Sequence, residues 1–254
     1  MDILTIVGLV GGIGAVVVGM LLEGGHLGSI IQATAAIIVI GGTIGAVLVN
    51  YPMATVILAV KNLKMALFNP KGNPSETIEL ISEFAGIARK DGLLALESKI
   101  KELDDPFLVK GLQLVVDGTE PKLTREILEI DMAYTEEYNT AAAKVYESAG
   151  GYAPTVGILG AVLGLIHVME NLADPSKLGA GIAVAFVATV YGVGFANLIC
   201  LPLAGKIKFK VREETIVKEL IVEGLIALSE GENPRRVKEK LNGFLRESQR
   251  SSGE

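Results

Sequence analysis

Tryptophan is absent from the 254-residue chain, aromatic residues of all kinds make up 5%, and there is a single cysteine, Cys200. One thiol supplies neither a disulfide framework nor a cysteine-based metal site, and Cys200 lies in an apolar run, where it reads as a packed side chain. Charge is scarce too: Asp, Glu, Lys and Arg together are 20% of the residues, against roughly 25% in a soluble domain. The net charge of -6 comes without a dense basic tract, which excludes nucleic acid as an expected partner. There is no P-loop, no pair of histidines at metal-binding spacing and no Ser/His/Asp set that spacing singles out. The stretch Gly179-Ala180-Gly181-Ile182-Ala183-Val184 looks like a degraded dinucleotide fingerprint, but it opens an apolar run with no strand before it. An enzyme is not expected, and neither is a metal or an organic cofactor.

What is abundant is apolar. Half of the residues are hydrophobic and the mean hydropathy is +0.47. Residues 3–22, 30–49, about 152–169 and 178–203 contain no Lys or Arg. Each run approaches or exceeds the ~20 residues that cross a hydrocarbon core as helix. The expected fold is therefore an all-α integral membrane protein with four transmembrane helices in two hairpins. Met1-Asp2 supplies no positive n-region and Leu21-Leu22-Glu23 is a poor cleavage site, so the first run is expected to be retained.

Charge sets the topology. Every Lys and Arg except Lys177 lies between Lys61 and Lys144 or from Lys206 onward, and basic segments stay in the cytoplasm. Residues 1–50 form the first hairpin, turning at Glu23-Gly24-Gly25-His26, and 51–147 form a cytoplasmic helical domain. Residues 148–205 form the second hairpin, turning at Ala173-Asp174-Pro175-Ser176, and 206–254 form cytoplasmic C-terminal helices. Both termini are expected inside.

Within the polar regions the punctuation is helical. Pro74-Ser75 precedes Ile78, Ile81, Phe84 and Ala88 at helical spacing, with Gly92 as a stop. Asp105-Pro106 opens a helix closing at Gly118, and a longer one runs from about Pro121 towards Gly150-Gly151. Asn233-Pro234 starts a short amphipathic helix carrying Val237, Leu241, Phe244 and Leu245. The fourth apolar run has no stop before Gly231, so helix is expected through Ser229, with Pro202 kinking it.

Thirty glycines is high for a helical protein. Many recur as small-xxx-small pairs in the apolar runs: Gly8/Gly12, Gly41/Gly45, Gly160/Gly164 and Ala188/Gly192. Helices in lipid associate at such positions, and packing within one chain is expected to use about half of them. The remainder points to an oligomer.

The apolar runs also lack any carboxylate at membrane depth, the usual mark of a self-sufficient ion transporter. Glu23, His26, Glu170 and Asp174 lie at run ends or in turns, and His167 is about a turn deeper, where an interfacial imidazole is the simpler reading than a proton relay. The runs do hold hydroxyls, most of which are expected to bond back to their own helix. Thr155 after Pro154, and Thr189 within Ala188-Thr189-Val190-Tyr191-Gly192, are the candidates for a wet seam. If ions pass, the titrating group must come from a partner.

The chain resembles the MotA/PomA family of flagellar stator A subunits. The resemblance rests on an ordered set of motifs: Met1-Asp2-Ile3 with Gly8 and Gly11-Gly12, Val39-Ile40-Gly41-Gly42-Thr43, Ala88-Arg89-Lys90-Asp91-Gly92 through Glu97, Val116-Asp117-Gly118, Ala153-Pro154-Thr155 through Gly160, Ala183 through Gly192, Asn197 to Pro202, and Glu230 to Pro234. It implies a multi-pass protein of the bacterial inner membrane, a ring of five copies around the two membrane helices of a MotB/PomB-type B-subunit dimer, and an ion-binding aspartate on the B subunit. It further implies that ion passage drives the rotor protein FliG. By the same resemblance, Arg89 and Glu97, with Lys90 as a weaker candidate, contact the rotor. Pro154 and Pro202 couple ion binding to movement, and Thr155, Thr189 and Tyr191 lie on the ion path. Ala161 stands where sodium-type members carry Thr, and Gln32 where some carry Asp. The loss of an oxygen ligand favours the proton over sodium as the transported ion. Two other readings are an ExbB/TolQ-like ion-driven energiser, which generally has three spans, and a passive channel or scaffold.

Overall fold

The structure is a computed structural model that describes residues 2–68, 73–173, 175–245 and 247; Asp174 of the expected second turn lies outside them. Among the described residues there are helices and turns and no strand. In chain order the helices are α1 (Ile3–Leu22), α2 (Ala33–Ala36), α3 (Gly42–Asn50), α4 (Met53–Leu67), α5 (Pro74–Asp91), α6 (Glu97–Ile100), α7 (Pro106–Val116), α8 (Pro121–Glu170), α9 (Pro175–Gly194), α10 (Leu201–Ser229) and α11 (Pro234–Leu241). Among the described residues four stretches are long and apolar enough to cross a membrane, at Ile3–Leu22, at Leu27–Asn50 and within the continuous helices Pro121–Glu170 and Leu178–Ser229. The chain folds as two compact units, one from Met1–Asn69 and Asn139–Lys210, the other from Pro70–Tyr138 and Val211–Glu254.

In the first unit, Asp2 caps α1 by accepting the Thr5 N–H, and no residue of α1 itself is buried. An apolar helix with nothing buried needs lipid or another chain around it. The second span departs from the single helix expected over 30–49. A 3-10 turn at Leu27–Ile30 gives way to extended Ile31 and Gln32, then α2, a π-helical turn at Ile37–Gly41, and α3. Helix α4 leaves no clear sign in the sequence, because Lys61 and Lys64 interrupt its apolar pattern. Its Leu58 and Ala59 bury with Val47, Ala142 and Val145, and Tyr146 Oη donates to the Ala59 carbonyl at 3.0 Å.

Helix α8 also corrects the reading of a helix that stops near Gly150-Gly151. It continues through both glycines and Pro154 to Glu170. Gly150 serves close packing instead of termination: a Cβ there would lie 2.7 Å from Leu201 Cδ2. Neighbouring helices and lipid favour keeping backbone groups paired, so glycine and proline are tolerated inside such a helix. Between α9 and α10 the backbone stays helical but passes through a π-turn at Phe195–Cys200, which ends two residues before Pro202.

The described residues of the second unit share a core. Ile78, Ile81 and Phe84 of α5, Leu112 and Val115 of α7, Leu128 of α8, Leu220, Ile221 and Leu225 of α10 and Val237 and Leu241 of α11 are buried together. Each fully buried aliphatic side chain contributes about 1.5–3 kcal/mol. Three helices here start alike, with an Asx side chain accepting from the backbone and a proline as first helical residue: Asn73 for α5, Asp105 for α7 and Asn233 for α11. Gly92, Gly118 and Gly231 end α5, α7 and α10 with φ of 86°, 72° and 72°, the left-handed conformation that glycine adopts without steric cost. Glu223 ties α10 to its neighbours, accepting from Arg125 at 2.5 Å and Lys240 at 2.9 Å.

Candidate functional site

The first unit is organised around a seam between α8 and α9 in which small residues let backbone meet backbone. A Cβ on Gly157 would lie 2.9 Å from the Ala188 carbonyl oxygen, one on Gly164 2.8 Å from that of Gly181, and one on Gly192 2.5 Å from that of Ala153 and 3.2 Å from Pro154 Cα. The pairs Gly160/Gly164 and Ala188/Gly192 are thus consumed inside the chain. Gly8, Gly41 and Gly45 have nothing within 4 Å of where a Cβ would stand, and for Gly12 the nearest atom is Leu198 Cδ2 at 3.7 Å. The second span packs on the same seam. Ala35 and Val39 bury with Val187 and Ala188, and a Cβ on Gly42 would reach Val156 Cγ1 at 2.8 Å.

Around this seam stand the residues singled out for the ion path. Thr155 is exposed and donates to the Tyr152 carbonyl at 2.8 Å; Thr189 is half-buried and donates to Ala185 at 3.3 Å. Both bond back to their own helix and keep lone pairs that can accept or coordinate. Ala161 is half-buried on α8. Tyr191 is committed elsewhere: its hydroxyl donates to the Ile30 carbonyl at 2.6 Å and accepts the Gln32 N–H at 3.3 Å. It therefore satisfies the backbone where the second span is broken, a step that would otherwise strand polar groups in hydrocarbon. Among the described residues no hydrogen bond joins Thr155, Thr189 and Tyr191 to one another. Pro154 lies against Gly192, whereas Pro202 is exposed. Proline removes the bond to the carbonyl four residues back, here Leu198 inside the π-turn, so two helix irregularities coincide.

Sequence reasoning missed Asp2. Its side chain is 10% exposed; Oδ2 lies 2.7 Å from Lys206 Nζ and 3.3 Å from Lys210 Nζ, and its N–H donates to the Leu67 carbonyl at 2.8 Å. The Lys206 ammonium above all, helped by Lys210 and the Thr5 N–H, holds this carboxyl well below the usual range despite burial. An acidic residue before an apolar run signals a cap, but nothing local announces lysines at the far end of the chain. Nearby, Lys208 pairs with Glu147 at 2.6 Å.

In the second unit Arg89 and Lys90 occupy the last turn of α5, Gly92 reverses the chain, Leu93–Leu96 form a 3-10 turn and Glu97 opens α6. All three charges are exposed, and no ion pair involves them among the described residues. Leu96, fully buried, anchors the turn, while Leu94 is 73% exposed. Unpaired surface charges cost the fold little, so this corner, which also includes exposed Asp91, displays two cations, two anions and an apolar side chain without internal ion pairs among the described residues. Among the described residues no group of three His, Cys, Asp or Glu could hold a metal ion.

Comparison with known proteins gives two family matches. Residues 6–92 match the model described as motility protein A N-terminal, and residues 99–220 match that of the MotA/TolQ/ExbB proton channel family. The chain is 36% identical to chemotaxis protein PomA of Vibrio alginolyticus over 251 residues, which is 99% of this chain and 98% of that protein. Two solved structures agree in fold, each at 34% sequence identity. One is described as C. jejuni MotAB, with a TM-score of 0.94 and complete coverage of both chains. The other is the flagellar MotAB stator complex of Bacillus subtilis, with a TM-score of 0.89 and 96% of each chain covered. With four membrane-crossing stretches of its own and this likeness along its whole length, the chain is a multi-pass membrane protein that belongs to the MotA/PomA family of motility A proteins.

Proposed function

We infer that this chain is the A subunit of a bacterial flagellar stator, forming an ion-conducting complex with a B-type subunit and converting ion-motive force into torque on the rotor. The carrying observation is a membrane unit rich in packed small residues and hydroxyls but without a carboxylate in its spans, in a chain matched along its length by motility A proteins. Such a unit needs its titrating group from a partner, and the B subunit's aspartate supplies it. In this reading five copies surround the B pair, both termini are cytoplasmic, and the transported ion is the proton, because Ala161 offers no oxygen to a hard cation. Each charge crossing 100 mV releases about 2.3 kcal/mol.

Thr155 and Thr189 face the passing ion, with Tyr191 holding the neighbouring span in place. Pro154, at the tight seam, and Pro202, after the π-turn, are where the helices yield as the ion binds and leaves. Exposed and unpaired, Arg89 and Glu97, with Lys90, meet complementary charges on FliG. The ExbB/TolQ reading shares the match over residues 99–220 but not the motility protein A match over 6–92.

The test is swimming speed in a strain lacking its own stators, supplied with this chain and its cognate B subunit. Speed indifferent to sodium at fixed pH but abolished by a proton uncoupler supports the reading; speed rising with sodium overturns the ion assignment alone. Glu97→Lys should lower torque with normal membrane accumulation, and an unchanged torque would remove Glu97 from the rotor contact. No swimming despite correct insertion and a compatible rotor would count against a stator.

A further inference from the structure

Beside α1, the first unit leaves a groove of about 330 Å³ against the stretch that runs from the π-turn into α10. Leu4, Leu9, Leu198 and Leu203 line it, and Gly8 opens it, since nothing lies within 4 Å of where a Gly8 side chain would begin. The groove is not apolar throughout. Lys206 stands in its lining, and Thr5, in the first turn of α1, contributes a buried Oγ1 that has no hydrogen-bond partner. We propose that this groove holds one anionic phospholipid, an acyl chain lying along Gly8 and the leucines and the headgroup phosphate against Lys206 and Thr5. Its placement in the cytoplasmic leaflet rests on the topology above.

Four features favour this occupant. The polar groups gather at the first turn of α1 and just past the apolar part of the fourth span, where headgroups begin, while the leucine lining continues towards hydrocarbon. Lys206 has three N–H donors and gives one to Asp2 at 2.7 Å; the remainder suit a phosphate, as does the Thr5 hydroxyl. The volume admits a single hydrocarbon chain, whereas a helix of a second copy is about 10 Å across. A Lys side chain at an anionic membrane surface also complements the charge of such a lipid.

The test is native mass spectrometry of the full-length chain, purified with or without a B-type subunit and titrated with phosphatidylglycerol or chain-matched phosphatidylcholine. Phosphatidylglycerol should be retained about fivefold more than phosphatidylcholine, the factor for ~1 kcal/mol per basic residue near the surface. Lys206→Gln should erase that preference and Lys206→Arg restore it. Gly8→Leu, which fills the groove without changing charge, should lower retention of both lipids. Equal retention of the two lipids by the unaltered chain, or retention untouched by Lys206→Gln and Gly8→Leu, overturns the proposal. So does loss of subunits from the assembly on Gly8→Leu, which would assign the groove to a neighbouring copy. Failure to recruit a B-type subunit would count against the stator reading while leaving the lipid count interpretable.

Discussion

A methyl group placed on Gly192 would sit 2.5 Å from the Ala153 carbonyl oxygen, 3.0 Å from Gly157 Cα and 3.2 Å from Pro154 Cα. Ordinary contact begins near 3.4 Å, so α8 and α9 must part by about 1 Å at this level. All three obstacles are backbone atoms, and no change of rotamer relieves them. Overpacking of this kind costs about 1–3 kcal/mol, partly offset by the ~1 kcal/mol that alanine gains over glycine within a helix. Gly194→Ala is the control, since nothing lies within 4 Å of its Cβ position; it receives the helix gain without the clash. Unfolding of the purified full-length chain in detergent, followed by circular dichroism, should therefore separate the two variants by about 1–3 kcal/mol, with Gly192→Ala the weaker. The parted seam also shifts Thr189 and Tyr191, so ion flow through the partnered complex should fall for Gly192→Ala alone. Equal stability of the two variants would show that the helices do not touch here and would refute the argument.

Three further outcomes follow from the contacts. Glu223 is lowered from 4.5 to about 2, first by the Arg125 hydrogen bond acting against burial. Its stabilisation is present above pH 4.5 and lost as pH falls towards 2; Glu223→Gln should cost about 1–2 kcal/mol at pH 7, after allowance for solvent screening, and flatten that acid limb. An unaltered pH dependence of unfolding would exclude the linkage. Tyr191→Phe strands the Ile30 carbonyl and the Gln32 N–H and should cost about 1 kcal/mol, with faster hydrogen exchange at Gln32; exchange at the wild-type rate would show that the hydroxyl is dispensable. Thr189→Val keeps the shape without the hydroxyl and should reduce ion flow in the partnered complex, whereas full flow would take Thr189 off the path.

Much of the helical punctuation was legible because caps and stops are local. Asn73, Asp105 and Asn233 each precede a proline and accept from backbone two or three residues on, and Gly92, Gly118 and Gly231 take the positive φ that ends a helix. The exposed corner of Arg89, Lys90 and Glu97 was equally visible as charges on either side of Gly92, although the rotor contact proposed for it rests on family resemblance alone. Less legible were the continuation of α8 through Gly150, Gly151 and Pro154 and the break in the second span. In both, distant neighbours override local preference: Leu201 lies where a side chain on Gly150 would be, and Tyr191 pairs the free groups at Ile30 and Gln32.

By itself the sequence determined four apolar stretches of membrane-crossing length, their helical character and the lack of a carboxylate inside them, because hydropathy and helix length depend only on which residues follow one another. Only the tertiary structure decided which glycine pairs are spent within the chain, that Asp2 is held by Lys206 and Lys210, and that the Tyr191 hydroxyl is already engaged. Those depend on residues far apart in the chain, whose approach is set by the packing of whole helices and leaves no local periodicity to read.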